Sequence, residues 1–437
     1  MPADPHTTAP VAIISDVPAG EAIEFGYTVY ARTLAGMIAD KDNATPMGVG
    51  IYGPWGGGKT SLMNAIRSHL DGEGLSDTNT YRPCKTVWFK ACKYDREEQI
   101  LPALIESIFK AMAADGFFGL AKSKIEEIIR RIDQSKIFAS VSRLISGMDI
   151  SEFFSELENK EMLEFYDTFQ KFCDDLVWTF FNWRFKLTGE DKPDDKRAAL
   201  VIFIDDLDRC AAPHIVKTLE TVARFTERSG YIFVFGANKK IIEEALAQSY
   251  GKQDALCLLE KIVQVQFSMP PIASQAFECL LDSQKSGMKL LRAHLSLLMP
   301  AVGHTARGLK KFINSLSLLN GLLHQSGVRI DADMAVLWCL IQQVFESTAE
   351  DFRQNSGNLF LFQEQIKRLS ETFPETRLWQ ISASDLEKEN VPPALWPYFQ
   401  QPHLAELAGC LEITPETLDV LQVLSAAVCF RSHGQGR

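Results

Sequence analysis

Positive charge is in short supply in this sequence. Its 437 residues hold 45 Lys and Arg against 56 Asp and Glu, a net charge of −11. That balance disfavours broad binding to nucleic acid or anionic membranes, although a local basic groove is compatible with it. Cysteine is sparse and unpatterned. The nine cysteines, at 84, 92, 173, 210, 257, 279, 339, 410 and 429, form no C-x-x-C pair. An odd number scattered through a long chain points to reduced thiols and a cytoplasmic location rather than to a disulfide framework. No stretch reaches the roughly 18 apolar residues of a spanning helix. The nearest, Leu176 to Leu187, is interrupted by Asn182, Arg184 and Lys186, so no transmembrane segment is expected. Met1-Pro2-Ala3-Asp4-Pro5-His6 lacks the basic start and apolar core of a signal peptide. No fixed-period repeat is evident. A chain this long has room for two or three domains, each with its own core.

What is present centres on one stretch. Met47-Gly48-Val49-Gly50-Ile51-Tyr52 is apolar and leads into Gly53-Pro54-Trp55-Gly56-Gly57-Gly58-Lys59-Thr60, and Ser61 to Ile66 reads as helix. Gly53 to Thr60 fits G-x-x-x-x-G-K-[ST] at every constrained position, the pattern of a phosphate-binding loop. Glycines let the backbone wrap with its N–H groups pointing inward, and the helix N-terminus adds partial positive charge at the same point. Gly53, Pro54, Trp55, Gly56, Gly57, Gly58, Lys59, Thr60 and Ser61 are therefore expected to bind a nucleotide. Lys59 is expected to reach the β- and γ-phosphates, and Thr60 to hold Mg²⁺.

A second apolar run, Ala198 to Ile204, ends in Asp205-Asp206-Leu207-Asp208-Arg209. A strand buried on both faces belongs to a parallel sheet, and its acids emerge at the edge where such sheets bind ligands. Asp205 is expected to hold Mg²⁺, directly or through water. Asp206 stands where a base or water-orienting group is useful. Tyr231 to Ala237 reads as another buried strand, tipped by Asn238. That Asn either contacts the attacking water or γ-phosphate, or caps the helix beginning near Lys239.

Further readings frame these motifs. Glu21 to Asp40 reads as a helix with Phe25, Val29, Leu34, Met37 and Ile38 facing the core, and Tyr27 and Tyr30 either stack on an adenine or simply pack. Lys85 to Phe89 reads as a strand, Glu97 to Met112 and Pro213 to Glu227 as helices, and Ile262 to Phe267 as a last strand. Residues 116 to 190 are helical and aromatic-rich, with Ile125 to Ile129 and Leu163 to Phe185 on amphipathic helices. They form either an inserted subdomain with an aromatic core or a docking face. From residue 273 onward the pattern is helical. Arg307 near one helix start either leans onto the γ-phosphate or is a plain structural Arg. The expected organisation is an N-terminal segment (1–46), a nucleotide-binding core in two parts (47–115 and 197–272), a helical insertion (116–196) and a C-terminal helical domain (273–437).

Several strings occur in order: Asp16-Val17-Pro18, Gly50 to Ser61, Asp205-Asp206-Leu207-Asp208-Arg209-Cys210, Leu259 to Gln264 with Pro270-Pro271, and Thr305-Ala306-Arg307 with Asn314. Together they resemble the KAP family of P-loop NTPases over about residues 16–320. The resemblance implies an α/β P-loop NTPase fold with a parallel sheet of the additional-strand type, and Arg307 as a second sensor. It also implies ATP as the nucleotide, consistent with the lack of an N-K-x-D string. Family members usually carry an insertion between the two nucleotide motifs, often with transmembrane helices, and this insertion has none. Where the family motif is F-N-A-W-K-Y, this chain has Phe89-Lys90-Ala91-Cys92-Lys93-Tyr94, and where it tends to have Asp at a strand tip, this chain has Asn238. Asn takes no proton, which moves any base role to Asp206 or Asp208.

The leading expectation is an Mg-dependent ATP hydrolase acting as a conformational switch in a prokaryotic multi-protein system, plausibly anti-phage defence, a context that comes from the resemblance. It would work with protein partners and self-association, with Arg209, Arg224 and Arg228 as unranked candidates for an arginine supplied in trans. The alternatives are an ATP-binding scaffold with little turnover and a nucleic-acid-stimulated ATPase, the latter expected to show steep salt dependence.

Overall fold

The computed structural model describes residues 27–72, 80–93, 100–114, 178–180, 182, 198–225, 229–271, 294–326 and 330–428. These residues fall into two units, one ending at Pro270 and the other beginning at Pro271.

The first unit is built on five parallel strands: β1 (Met47–Tyr52), β2 (Cys84–Lys90), β3 (Ala199–Asp205), β4 (Tyr231–Ala237) and β5 (Val265–Ser268), in the order β2-β3-β4-β1-β5. The strand β4 stands between the strand that feeds the glycine loop and the strand that ends in acids, which is the additional-strand arrangement. Every residue of β1, β3 and β4 is buried. Their unbroken apolar runs follow from having helices on both faces. Register is set so that Tyr52 pairs with Ala237, and Lys90 with Asp205, and all these strand ends finish on one edge of the sheet.

Side chains alternate between the two faces. Leu200, Ile202, Ile204, Phe233 and Phe235 join one cluster with α3 (Ile100–Ala114), α4 (Ala212–Phe225), α5 (Lys239–Tyr250) and α6 (Lys252–Ile262). Among insertion residues, Phe180 is buried in this same cluster. Apart from residues 178–180 and 182, the insertion, with both readings of it, lies outside the described residues. On the sheet's other face α1 (Thr28–Ala39) packs against α2 (Lys59–Asp71).

Three expectations shift in detail. Helix α1 buries Ala31, Leu34, Ala35, Ile38 and Ala39, while Val29 is 71% exposed. The small alanines, not Val29, let α1 approach its neighbour. Phe25 lies outside the described residues. Strand β5 begins at Val265 and not at Ile262, which instead closes α6. An apolar pair at 262–263 reads equally as a buried helix end or a strand start. The helix α6 itself was not anticipated.

Gly48 marks where α6 meets the sheet. A Cβ there would lie 1.9 Å from the Ile262 carbonyl oxygen, which is backbone and cannot step aside. The same spot is tied by Gln264 N donating to Gly48 O at 3.0 Å and Gly48 N donating to Gln264 Oε1 at 2.6 Å. Gly48→Ala is expected to cost about 3 kcal/mol of stability, read as a lowered denaturant midpoint.

The second unit is helical throughout its described residues, with its longer helices α7 (Leu295–Ala301), α8 (Ala306–Gln325), α9 (Ala332–Val344), α10 (Glu346–Gln354), α11 (Ser356–Thr372) and, at its end, α12 (Pro415–Ala427). Ala335 to Ile341 are buried on every side, so α9 is the central helix. Its Trp338 donates to Ser425 Oγ on α12 at 3.1 Å, and Gln342 Nε2 donates to the same oxygen at 2.9 Å. Phe352, Phe362, Tyr398 and Phe399 pack edge to face nearby, with centroids 4.7 to 5.4 Å apart for the perpendicular pairs.

Candidate active site

The loop between β1 and α2 needs a left-handed residue at its helix entry. Gly58 supplies it at φ +92, with the Tyr27 ring where a side chain would otherwise go. Lys59 is then the first residue of α2 and is buried. Its Nζ donates to Gly53 O at 3.0 Å and to Pro54 O at 3.1 Å, and lies 3.5 Å from Asp208 Oδ2. Burial pulls the Lys59 ammonium below the ordinary lysine range, and Asp208, followed by Asp205 and Asp206, works against that pull.

Thr60, one turn position on, faces the acid strand. Its Oγ1 lies 3.1 and 3.2 Å from the two Asp205 carboxylate oxygens. Asp205 is 1% exposed at the end of β3. Burial raises its carboxyl above the usual range and Asp206 adds to this, while the Thr60 hydroxyl, a backbone bond at Asp206 and Lys90 hold it down. Lys90 stands at the tip of β2, opposite Asp205 in register. A cation therefore occupies the position where the KAP motif has Asn. Thr60 and Asp205 present hard oxygens side by side, a donor set that suits Mg²⁺, which takes one or two protein oxygens and completes its shell with water and phosphate. No cluster of three or more metal-ligating His, Cys, Asp or Glu exists among the described residues.

Asp206 begins a tight turn, Leu207–Arg209, with φ +57. Asp tolerates this left-handed region better than most residues, and strain of this kind gathers at functional sites. Its Oδ1 accepts from Arg209 Nε at 2.8 Å. One expected trans arginine thus pairs with its own chain's acid. The side chain of Arg224 and all of Arg228 lie outside the described residues. The turn swings Asp208 inward, where it is buried. Asp208 Oδ2 accepts from Trp55 Nε1 at 3.0 Å and from the Asn238 backbone N–H at 2.7 Å. Asp208 was not expected to join the loop to the β4 tip. The signal was a third acid three residues after the first in Asp205-Asp206-Leu207-Asp208.

Asn238 caps α5, its Oδ1 accepting from Lys240 N at 3.1 Å. Tyr27 is buried, with its hydroxyl 3.5 Å from Gly57 O and 3.4 Å from Pro270 O, and burial pushes that hydroxyl up to about 12. Tyr30 packs on Phe267 at 5.5 Å. Tyr27 packs and hydrogen-bonds beside the loop, and Tyr30 is engaged in ring packing with Tyr27 and Phe267. The structure thus brings Gly53 to Ser61, Asp205, Asp206 and Asn238 to one sheet edge. Arg307 is the second residue of α8, in the C-terminal unit, and Thr305 caps that helix by accepting from Gly308 N at 3.1 Å.

The model of the KAP family P-loop domain matches residues 27–323. The chain belongs to the KAP family of P-loop NTPases. That family domain takes in both acid-bearing and glycine-loop strands and runs into α8 of the helical unit. No curated protein matches this KAP chain. Among solved structures it is similar to the Aeropyrum pernix ORC1 protein in complex with DNA, at 12% identity and a TM-score of 0.33, over 94% of this chain and 84% of that one. It is also similar to the Aeropyrum pernix ORC2 protein in ADPNP-ADP complexes, at 12% identity and a TM-score of 0.37, over 92% of each chain. Likenesses at that level have no bearing on the KAP chain's ligands or partners. Among the described residues no helix is long and apolar enough to cross a membrane.

Proposed function

We propose that this KAP chain is an Mg-dependent ATP hydrolase whose nucleotide state switches its helical parts. The observation that carries the reading is the convergence of Lys59, the Thr60–Asp205 contact and Asp206 at one edge of the sheet. Backbone N–H groups of Gly56 to Thr60 would cradle phosphate oxygens, and Lys59 would neutralise the β- and γ-phosphates. Mg²⁺ held by Thr60 and Asp205 would supply charge neutralisation across the phosphates. Between the two acids left to orient water, Asp206 is favoured. Asp208 Oδ2 is already taken up by Trp55, Asn238 N–H and Lys59, whereas Asp206 directly follows the last residue of β3 and is paired through Oδ1 with the half-exposed Arg209. Arg307, at the start of α8, is proposed to act as a second sensor, and Asn238 to contact the γ-phosphate side through the face not used in capping.

A second reading rests on the Asp206–Arg209 ion pair. An acid held by its own neighbour orients water poorly, so the chain would hold ATP with little turnover and organise a partner complex until Arg209 is drawn away. Self-association or a partner would supply that pull, and the prokaryotic defence setting common in the family is a fitting context for it.

The test is ATP hydrolysis by the purified chain over a tenfold concentration range, beside Lys59→Ala. Turnover per chain that rises with concentration and vanishes in the variant is the expected result, since an arginine supplied in trans accelerates such sites by roughly 10³–10⁵. Bound ATP with negligible turnover at every concentration moves the conclusion to the scaffold. Absence of ATP binding overturns both.

A further inference from the structure

Asp208 belongs to no step of the hydrolysis scheme above, yet it is the most heavily engaged acid of the site. Its Oδ2 receives Trp55 Nε1 at 3.0 Å, the Asn238 N–H at 2.7 Å and the Lys59 ammonium at 3.5 Å. Three donors on one oxygen exceed its two lone pairs, and the lysine is the most distant of them. Lys59 has three protons, and its three partners, Gly53 O, Pro54 O and Asp208, account for all of them. An ammonium so placed meets a phosphate by giving up a partner. The two carbonyls belong to its own loop and move with it. Asp208 comes from the turn after β3, holds the longest contact, and carries the charge that a phosphate would oppose.

We propose that Asp208 is a positioning residue that hands Lys59 over to the incoming phosphate, with Trp55 registering the exchange. This rests on the nucleotide-site reading above. After the exchange Asp208 keeps the Trp55 indole and the Asn238 N–H, so the glycine loop stays tied to the tip of β4 while its lysine turns to the ligand. The arrangement makes Asp208 a competitor for Lys59, which sets the sign of its effect on affinity. It also puts a change of charge beside the indole of Trp55, a side chain in a residue that is 57% exposed and so open to spectroscopy.

The test uses the full chain and Mg·ATP. Calorimetry compares the parent with Asp208→Asn, which keeps an oxygen acceptor for the Asn238 N–H. The variant is expected to bind about tenfold more tightly, the scale of one charge-assisted hydrogen bond exchanged. Tryptophan emission is recorded in parallel, with Trp55→Phe subtracting the other six tryptophans. ATP is expected to shift the Trp55 emission of the parent, and Asp208→Asn without ATP is expected to lie already near the shifted position. A role confined to folding would lower the melting temperature and leave both readouts unmoved. Equal or weaker binding by a folded Asp208→Asn overturns the proposal. If that variant does not fold, an ATP-saturated parent with unchanged Trp55 emission overturns it instead, and a shift supports it. A parent chain that binds no ATP by calorimetry overturns the nucleotide-site reading as well, a result distinct from either.

Discussion

Asp206→Asn is expected to bind ATP within a few-fold of the parent and to lose about 10²–10⁴ in hydrolysis rate, the usual share of a positioned general base. The substitution is well suited to the question. Asp206 sits at φ +57, and Asn is one of the few residues that enters that region readily, so the turn survives. The amide still offers Arg209 an oxygen acceptor, so the local pairing at 2.8 Å is weakened but not stripped of its geometry. The Thr60–Asp205 contact lies on the preceding residue and is untouched, which preserves the expected metal and phosphate grip. What disappears is the capacity to take a proton from, or orient, an attacking water. Single-turnover hydrolysis and calorimetry on the same preparation separate the two effects. Turnover at the parent rate would remove Asp206 from the chemistry and return the base role to an open question.

Lys59→Ala is expected to lose ATP affinity by about a hundredfold or more, since truncating one member of a buried, hydrogen-bonded charge pair costs about 2–5 kcal/mol. The geometry makes the loss specific to that side chain. Its ammonium reaches Asp208 and the loop carbonyls of Gly53 and Pro54 together. Removing the ammonium leaves the Asp208 carboxylate buried with two neutral donors, Trp55 and the Asn238 N–H, so a lower melting temperature is expected as well. Equilibrium binding measured well below the melting temperature distinguishes lost phosphate contact from lost fold. Binding at parent affinity by the folded variant would sink the assignment of the loop as a phosphate cradle.

The local logic of this chain is written in short strings. Apolar β-branched runs at 47–52, 199–205 and 231–237 fix three strands buried on both faces, because only a sheet covered by helices on both sides tolerates them. The glycine loop, the acids after β3 and the helical character of the C-terminal unit follow from the same kind of local reading, since each depends on neighbours within a few residues. Expectations failed where a residue's fate depends on something distant. Val29 has the right spacing for a core position, and it is exposed because the neighbouring face of α1 is paved with alanines that fit closer. Ile262 has the right composition for a strand, and it ends a helix because Gly48 receives that helix end against β1.

The sequence by itself determined that a phosphate-binding loop and a buried acid strand lie on one parallel sheet, because backbone conformation and strand burial are set by residues close along the chain. Only the tertiary structure decided how the three acids after β3 divide their work. Asp205 meets Thr60 across 145 positions of sequence, Asp206 turns back to Arg209, and Asp208 reaches Trp55 across 153. Which partner each carboxylate finds is fixed by the order of strands and by one left-handed turn. No spacing along the chain encodes distances that the packing of the sheet creates.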